Sequence, residues 1–532
     1  MLKDQLKEWC NIGEEQISAP YPDELHLSLE RKDFKQVCFA LHVKLRSPVM
    51  MLIANDLRSC SKGFELICVF LSTQHRQWIL VKTTLDEKKP EFDSLSKELY
   101  SASLFERQIK EMFGIHPVGN PDLRSLHLHE EIWPQTVFPL RKDFQPGSVV
   151  TTPAPASASS LAPAYQFLKV EGEGVFEVPV GPVHAGVIGP GHFRFSVAGE
   201  PIINLELRLG WTHRGAEKLF ESKTIAEAVQ LAECISGDQA FSYSLAFTRA
   251  IEKIQGIKVT QETELCRSLL LELERMYNHV TGISGIALDV GFSLPAMFAQ
   301  EIKERILRLN CDMTGHRYLK NINFVGGIGL ELDAQKKDLL SAELSSLEKD
   351  MLKLKSMLLS SVSFLDRVDS TGFLRKKTAL DLGVTGLVAR ASGINLDLRS
   401  LFELEYAKAG FKARTREKGD VLARLMMRLD EFEDSLGLVR DFAEKISSSA
   451  AQPAQQPTIT KAGSGLGYSE SWRGPVLFWV ELDEKGAISR CKIVDPSFKN
   501  WQALTYAVLD NIIPDFPVCN KSFDLSYSGN DL

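Results

Sequence analysis

No two of the nine cysteines form a Cys-x-x-Cys pair; they lie scattered at positions 10, 38, 60, 68, 234, 266, 311, 491 and 519. Iron–sulfur and structural zinc sites need clustered thiolates, and a secreted disulfide framework is denser and even in number. The cysteines therefore read as reduced core residues in a reducing compartment, the cytoplasm. Positive charge is not in surplus either: formal net charge is −7, whereas nucleic-acid binding normally shows a basic surface. No predominantly apolar run of about 18 residues exists to span a bilayer. The opening MLKDQLKEWCNIGEEQ sets acids in an amphipathic pattern and lacks the apolar centre of a signal peptide. Membrane association is expected only through partners. The glycine-rich stretches VEGEGVFEVPVG and KAGSGLGYS lack the strand, Gly-x-Gly-x-x-Gly and helix order of a dinucleotide site, so direct NADH binding has weak support.

What is present is a globular composition, 44% hydrophobic and 25% charged over 532 residues, enough for two or three domains. QPGSVVTTPAPASASSLAPA, Gln145 to Ala164, is uncharged and rich in Pro, Ala and Ser, and reads as a linker. It separates a domain at 1–144 from one at 165–532. In the first, FELICVFLST and QWILVKTTL read as paired strands around the polar turn Gln74 to Arg76, and SLSKELYSASLFERQIKEMFG has helical spacing. In the second, Val170 to Leu209 reads as short strands. Helical patterns then run over Ile225 to Ile254, Glu262 to Ile286, Pro295 to Tyr318, Leu340 to Val368 and Val421 to Ile446. A second low-complexity stretch, Ser447 to Pro457, precedes GPVLFWVELDEKGAISRCKIVDPS, a terminal hairpin about its Asp-Glu-Lys-Gly turn. The fold class is α+β, a small α+β domain followed by a large, mainly helical one.

The stretch Glu106 to Phe144, with its Met-Phe-Gly-Ile, Asn-Pro-Asp-Leu-Arg and Pro-Leu-Arg-Lys-Asp elements, resembles the signature of the 30-kilodalton subunit of complex I. PVGPVHAGVIGPGHFRFSVAGE, GWTHRGAEKLFE, LLLELERMYNHVTGISGIALDVG, GHRYLKNINFVGG and IVDPSFKNWQAL resemble blocks of the 49-kilodalton subunit and of group 4 nickel–iron hydrogenase large subunits. The fused order and GPVH followed by GHFRF favour the formate hydrogenlyase branch. The resemblance implies an oxidoreductase subunit of an ion-translocating membrane complex, peripheral on the cytoplasmic face. An iron–sulfur cluster in a small hydrogenase-like partner subunit would bring electrons, with antiporter-like membrane subunits as further partners and no nucleic acid. No cofactor is expected to be held tightly by this chain; a quinone is the acceptor implied.

Nickel–iron hydrogenases hold their metals through two Cys-x-x-Cys pairs, since soft thiolates suit nickel and low-spin iron. The early pair falls in LAECISGDQAFSYS, where Cys234 remains and Gly237 stands three residues on; the late pair falls on Ser526 and Gly529 in SFDLSYSGNDL. Hydrogenase activity is therefore expected to be lost. In the complex I branch the emptied cavity binds a quinone headgroup, and its Tyr also falls on Gly237. Tyr243, about a turn onward, is a candidate substitute or an ordinary packed tyrosine, and the His partner is either His184 or His192. His213 and Glu217, four apart, together with Arg390, Asp420 and Asp524, form the polar frame. The resemblance makes His213, Glu217 and Asp524 a proton route; the alternative is a set of buried ion pairs. His279 and His316 read as structural. The competing function is a non-catalytic scaffold with a vestigial cavity.

Overall fold

The strand signals at Phe64–Ser72 and Gln77–Leu85 become an antiparallel pair in register from Phe64 opposite Leu85 to Ser72 opposite Gln77. The nearly continuous apolar runs Leu-Ile-Cys-Val-Phe-Leu and Trp-Ile-Leu-Val suit a pleated sheet covered on both faces. The computed structural model describes residues 2–145, 147, 165–184, 186, 188–447 and 458–532. Most of the linker 145–164, and 448–457 of the second low-complexity stretch, lie outside these residues. The pair is the centre of a five-stranded sheet. Met51–Asp56 lies beside Phe64–Ser72; Glu24–Leu29 runs parallel to Gln77–Leu85; Ile17–Tyr21 closes the edge.

The helix foreseen across 94–114 starts only at Ser103. Glu106, reaching back from that helix, accepts from the Ser94 and Ser96 hydroxyls, each at 2.6 Å, and from the Leu95 N–H at 2.6 Å. These bonds hold the preceding residues in a non-helical turn. Glu106→Ala should leave several buried donors unpaired and lower stability by about 2–3 kcal/mol. Urea unfolding checks this; an unchanged midpoint would refute it.

The larger part is built on long helices, Gln261–Asp289, Ser293–Thr314, Ala334–Leu359 and Val421–Lys445, whose apolar stripes share one buried core. Asp333 and Asp420 start two of them by accepting from Lys336 N and Ala423 N. Two expected helices are each broken once. The pattern Leu340 to Val368 divides at Ser361, which caps a separate helix Val362–Val368 through Phe364 N. The pattern Ile225 to Ile254 divides into Ile225–Ala232 and Ala240–Gln255. There Glu233 turns away to Asn321 N at 2.9 Å, and Glu274 of the Gln261–Asp289 helix accepts from Phe241 N and Ser242 N, capping the second piece from across the interface.

Val175–Val180, His192–Ala198 and Ile202–Arg208 form a three-stranded antiparallel sheet. The terminal hairpin Pro475–Leu482 with Ile488–Val494 gains a third strand, Gly463–Glu470. Its Leu477, Trp479 and Val494 share a core with Leu52 and Phe105 of the N-terminal sheet domain. Phe498, just after it, stacks 5.0 Å from the Phe105 ring. Polar bonds cross the same joint, including Asn55 Nδ2 to Glu481 Oε2 at 3.0 Å and Lys492 Nζ to Gln108 Oε1 at 2.5 Å.

Candidate functional site

The break at 233–239 carries a run of small and polar residues to the wall of a cavity of about 530 Å³. Gly237 and Asp238 form one side. No neighbour lies within 4 Å of where a Cβ on Gly237 would project, so that wall is open space. Tyr277, Asn278 and Thr281 line it from about one turn of the Gln261–Asp289 helix, and Lys303 from the next helix. His316, Tyr318 and Lys320 come from the turn after it, while Trp472 and Asp524 close the far end. Desolvation draws the Lys303 ammonium below its ordinary range. It draws His316 down as well, with help from Lys320, so His316 stands mainly neutral at pH 7.

Arg473 organises the inner wall. Its Nη2 donates to Asp238 Oδ2 at 2.7 Å, its Nη1 to Gln239 Oε1 at 2.6 Å and its Nε to the Asp524 carbonyl at 2.5 Å. The guanidinium carbon lies 3.9 Å from the centre of the Trp472 ring. Desolvation would raise the Asp238 carboxyl, but Arg473 outweighs it and holds Asp238 below its ordinary range. Behind this wall the Ser236 hydroxyl donates to Asp238 Oδ1 at 2.6 Å and meets the Ser526 hydroxyl at 2.9 Å.

That contact corrects the expected frame. Cys234 is exposed; Arg214 donates to its carbonyl and its N–H donates to the Leu231 carbonyl. The residue of this segment that faces Ser526 is Ser236, and three residues further on is Gln239, buried and held by Arg473 and Ser471. The helix ends at Ala232, and the irregular turn after it sends residue 234 outward and residue 236 inward. At the other end, a Cβ on Gly529 would come 2.8 Å from the Asp495 carboxyl carbon and 3.0 Å from the Tyr243 hydroxyl. Ser236 and Gln239 are three apart, as are Ser526 and Gly529, and Ser236 is the residue that meets Ser526.

Of the residues singled out from the sequence, Gly237 and Asp524 share the cavity, and the others do not join them. His213 and Glu217 do not share one helix face: the helix Ala216–Phe220 begins only after the left-handed Gly215. His213 bonds through Nδ1 to the Asp531 carbonyl at 2.7 Å, and desolvation lowers its pKa. Glu217 faces the opposite way, accepting from Arg490 at 2.8 Å, Lys492 at 2.9 Å and Ile493 N at 3.2 Å. Burial alone would raise this carboxyl, yet Lys492 and Arg490 hold it down at about 2. The Tyr243 hydroxyl is fully buried on Asp495 at 2.7 Å. Arg390 binds Glu431 and Glu470 in the helical core. Asp420 caps a helix and receives Ser370 N at 2.8 Å. His184 and His192 bond locally, to Gly186 N and to the Gly181 carbonyl, His192 at the start of its strand, and neither lines the cavity; Ala185 and Val187 between them lie outside the described residues. His279 sits on Glu431 at 2.9 Å, and burial drives its pKa to about 4, a structural role. His316, expected to be structural, lines the cavity instead. Lys303, Trp472 and Arg473 were missed: Lys303 stands among other charged residues in Gln-Glu-Ile-Lys-Glu-Arg, and Trp472 with Arg473 in the polar Ser-Glu-Ser-Trp-Arg-Gly, where no spacing marks a site.

Residues 27–149 match the family described as respiratory-chain NADH dehydrogenase, 30 Kd subunit, and residues 289–464 match the 49 Kd subunit of the same enzyme. The chain is thus a fusion of 30-kDa-type and 49-kDa-type complex I domains. Over 515 residues it is 28% identical to formate hydrogenlyase subunit 5 of Escherichia coli (strain K12), covering 96% of this chain and 89% of that protein. The C/D subunit of NADH-quinone oxidoreductase from Phocaeicola vulgatus is 27% identical over 463 residues, covering 84% and 88%. A solved structure of the membrane-bound sulfane sulfur reductase, an archaeal respiratory membrane complex, superposes with a TM-score of 0.63 at 22% identity, over 67% of this chain and 98% of that one, which establishes shared fold. Among the described residues no helix is long and apolar enough to cross a membrane.

Proposed function

We propose that this chain is the large subunit of a membrane-associated oxidoreductase complex, docked on the cytoplasmic face through partners, in which electrons from an iron–sulfur subunit reach a small organic acceptor, a quinone by preference, without a nickel–iron centre. The observation that carries this reading is the cavity of about 530 Å³ behind a wall fixed by Arg473. It is roomy enough for a headgroup, and proton-bearing groups, His316, Lys303, Tyr277 and Tyr318, line it. Relatives with this domain pair carry names of oxidoreductase complexes.

The donor set does not fit a nickel–iron centre. Ser236, Gln239, Ser526 and Gly529 offer no thiolate; the two hydroxyls bond each other, and Gln239 is taken by Arg473. No step is therefore routed through a metal. The scaffold reading draws on the way Glu217, Arg390 and Tyr243 are each locked into buried pairs.

The test is to purify the intact complex, reduce its iron–sulfur clusters, remove the reductant and follow cluster reoxidation by a water-soluble benzoquinone in stopped flow, with elemental analysis alongside. Rapid reoxidation with no stoichiometric nickel is expected. Clusters left reduced would favour the scaffold, and stoichiometric nickel would overturn the metal-free reading.

A further inference from the structure

The two segments that carry a hydrogenase's thiolates leave a continuous line of oxygens in this chain. Ser528, half-exposed on the C-terminal helix Tyr527–Asp531, lies 3.3 Å from the Ser526 hydroxyl; Ser526 lies 2.9 Å from Ser236; Ser236 lies 2.6 Å from the Asp238 carboxylate at the cavity wall. Ser526 and Ser236 are both buried, so bulk water does not replace them. We propose that this line is a proton relay, Ser528 to Ser526 to Ser236 to Asp238, feeding the acceptor cavity from the surface beside the C-terminal helix. The proposal rests on the acceptor-reduction reading above.

The hydrogen-bond inventory sets the direction. A hydroxyl has one proton to donate and two lone pairs to accept with. The Gly529 N–H, which can only donate, occupies one lone pair of Ser526 at 2.9 Å. The other lone pair is left for Ser528, and the Ser526 proton points to Ser236. Ser236 in turn can only donate to Asp238, which accepts as a carboxylate because Arg473 holds it ionised. The chain is polarised toward the cavity, and each bond strengthens the next.

The balance closes. Reducing a quinone to a quinol takes two electrons, supplied one at a time by the iron–sulfur partner, and two protons. In each passage the acceptor oxygen forms one O–H bond with a proton released by the Asp238 carboxyl. Asp238 takes the Ser236 proton, Ser236 that of Ser526, Ser526 that of Ser528, and Ser528 one from a hydronium ion at the surface, which is left as water. Every hydroxyl breaks one O–H bond and forms one, then rotates to reset. Two passages match the two electrons.

The experiment uses the intact complex and the same benzoquinone, following reoxidation of pre-reduced clusters in H2O and in D2O. Wild type should show a solvent isotope effect. Ser236→Ala and Ser526→Ala should each slow reoxidation roughly tenfold or more with a solvent isotope effect at least as large as that of wild type, because proton delivery then limits the rate, and Ser526→Thr, which keeps the hydroxyl, should restore the wild-type rate. Since Ser526 also caps the C-terminal helix, Ser236→Ala, which removes no cap, carries the test if Ser526→Ala fails to assemble. Wild-type reoxidation with unchanged variants, or slowing that shows no isotope effect, overturns the relay and leaves the acceptor reading standing. No reoxidation in wild type overturns the acceptor reading and the relay with it.

Discussion

Replacing Glu217 by Gln should weaken the fold far more than it touches electron transfer. The change leaves Arg490 and Lys492, two apart on one strand and both buried, facing each other without a counter-charge. Breaking a buried pair by removing one partner costs roughly 3–5 kcal/mol. Turnover per assembled complex should stay at the wild-type level, because Glu217 does not line the cavity. The acid side follows from the same carboxyl. Its pKa is held at about 2 in the folded chain, against roughly 4.3 when unfolded. Its stabilisation is therefore fully present above about pH 5 and drains away as pH falls through that interval toward the folded value. Thermal melting from neutral to acid pH should show wild type losing this advantage over Glu217→Gln. A mutant with unchanged melting but slowed acceptor reduction would revive the proton route through Glu217.

Gly386→Ala is expected to be nearly as costly. Gly386 has a φ of 68°, a left-handed conformation that costs an L-residue about 1–2 kcal/mol. A Cβ there would overlap the Arg473 carbonyl oxygen and sit 2.5 Å from the Gly474 Cα. Overpacking against backbone adds about 1–3 kcal/mol, so a loss of roughly 3 kcal/mol is expected by urea unfolding. The displaced turn would also move Arg473 off Asp238 and Gln239, so Trp472 fluorescence should shift. Wild-type stability in this mutant would show that the turn has slack the packing denies.

Strands were legible where short apolar runs were bounded by turn residues, as in Phe64–Ser72 with Gln77–Leu85 and the hairpin at Pro475–Leu482. Long helices were legible from their apolar period. The break at 233–239 was not, because Leu-Ala-Glu-Cys-Ile keeps a helical period, and the groups that end the helix, Asn321 and Glu274, lie far along the chain. At the site, Gly237 and Asp524 emerged from the resemblance. Ser236 was hidden because Cys234, two residues away, has the expected chemistry and the wrong direction. Glu217 looked like a partner of His213 through i to i+4 spacing, and only the fold reveals that its cations come from a strand some 270 residues later.

The shared core between the N-terminal sheet and the strands beyond the helical part also sets an order in time. Leu52 and Phe105 are covered by Leu477, Trp479, Val494 and Phe498, which are made only after all the long helices. During synthesis the first sheet emerges complete except for that cover and waits on the order of tens of seconds at ordinary elongation rates. Through that interval it carries an apolar face with no mate, a natural handhold for a chaperone. The joint can close only once the helices that separate its two halves in sequence have left the ribosome.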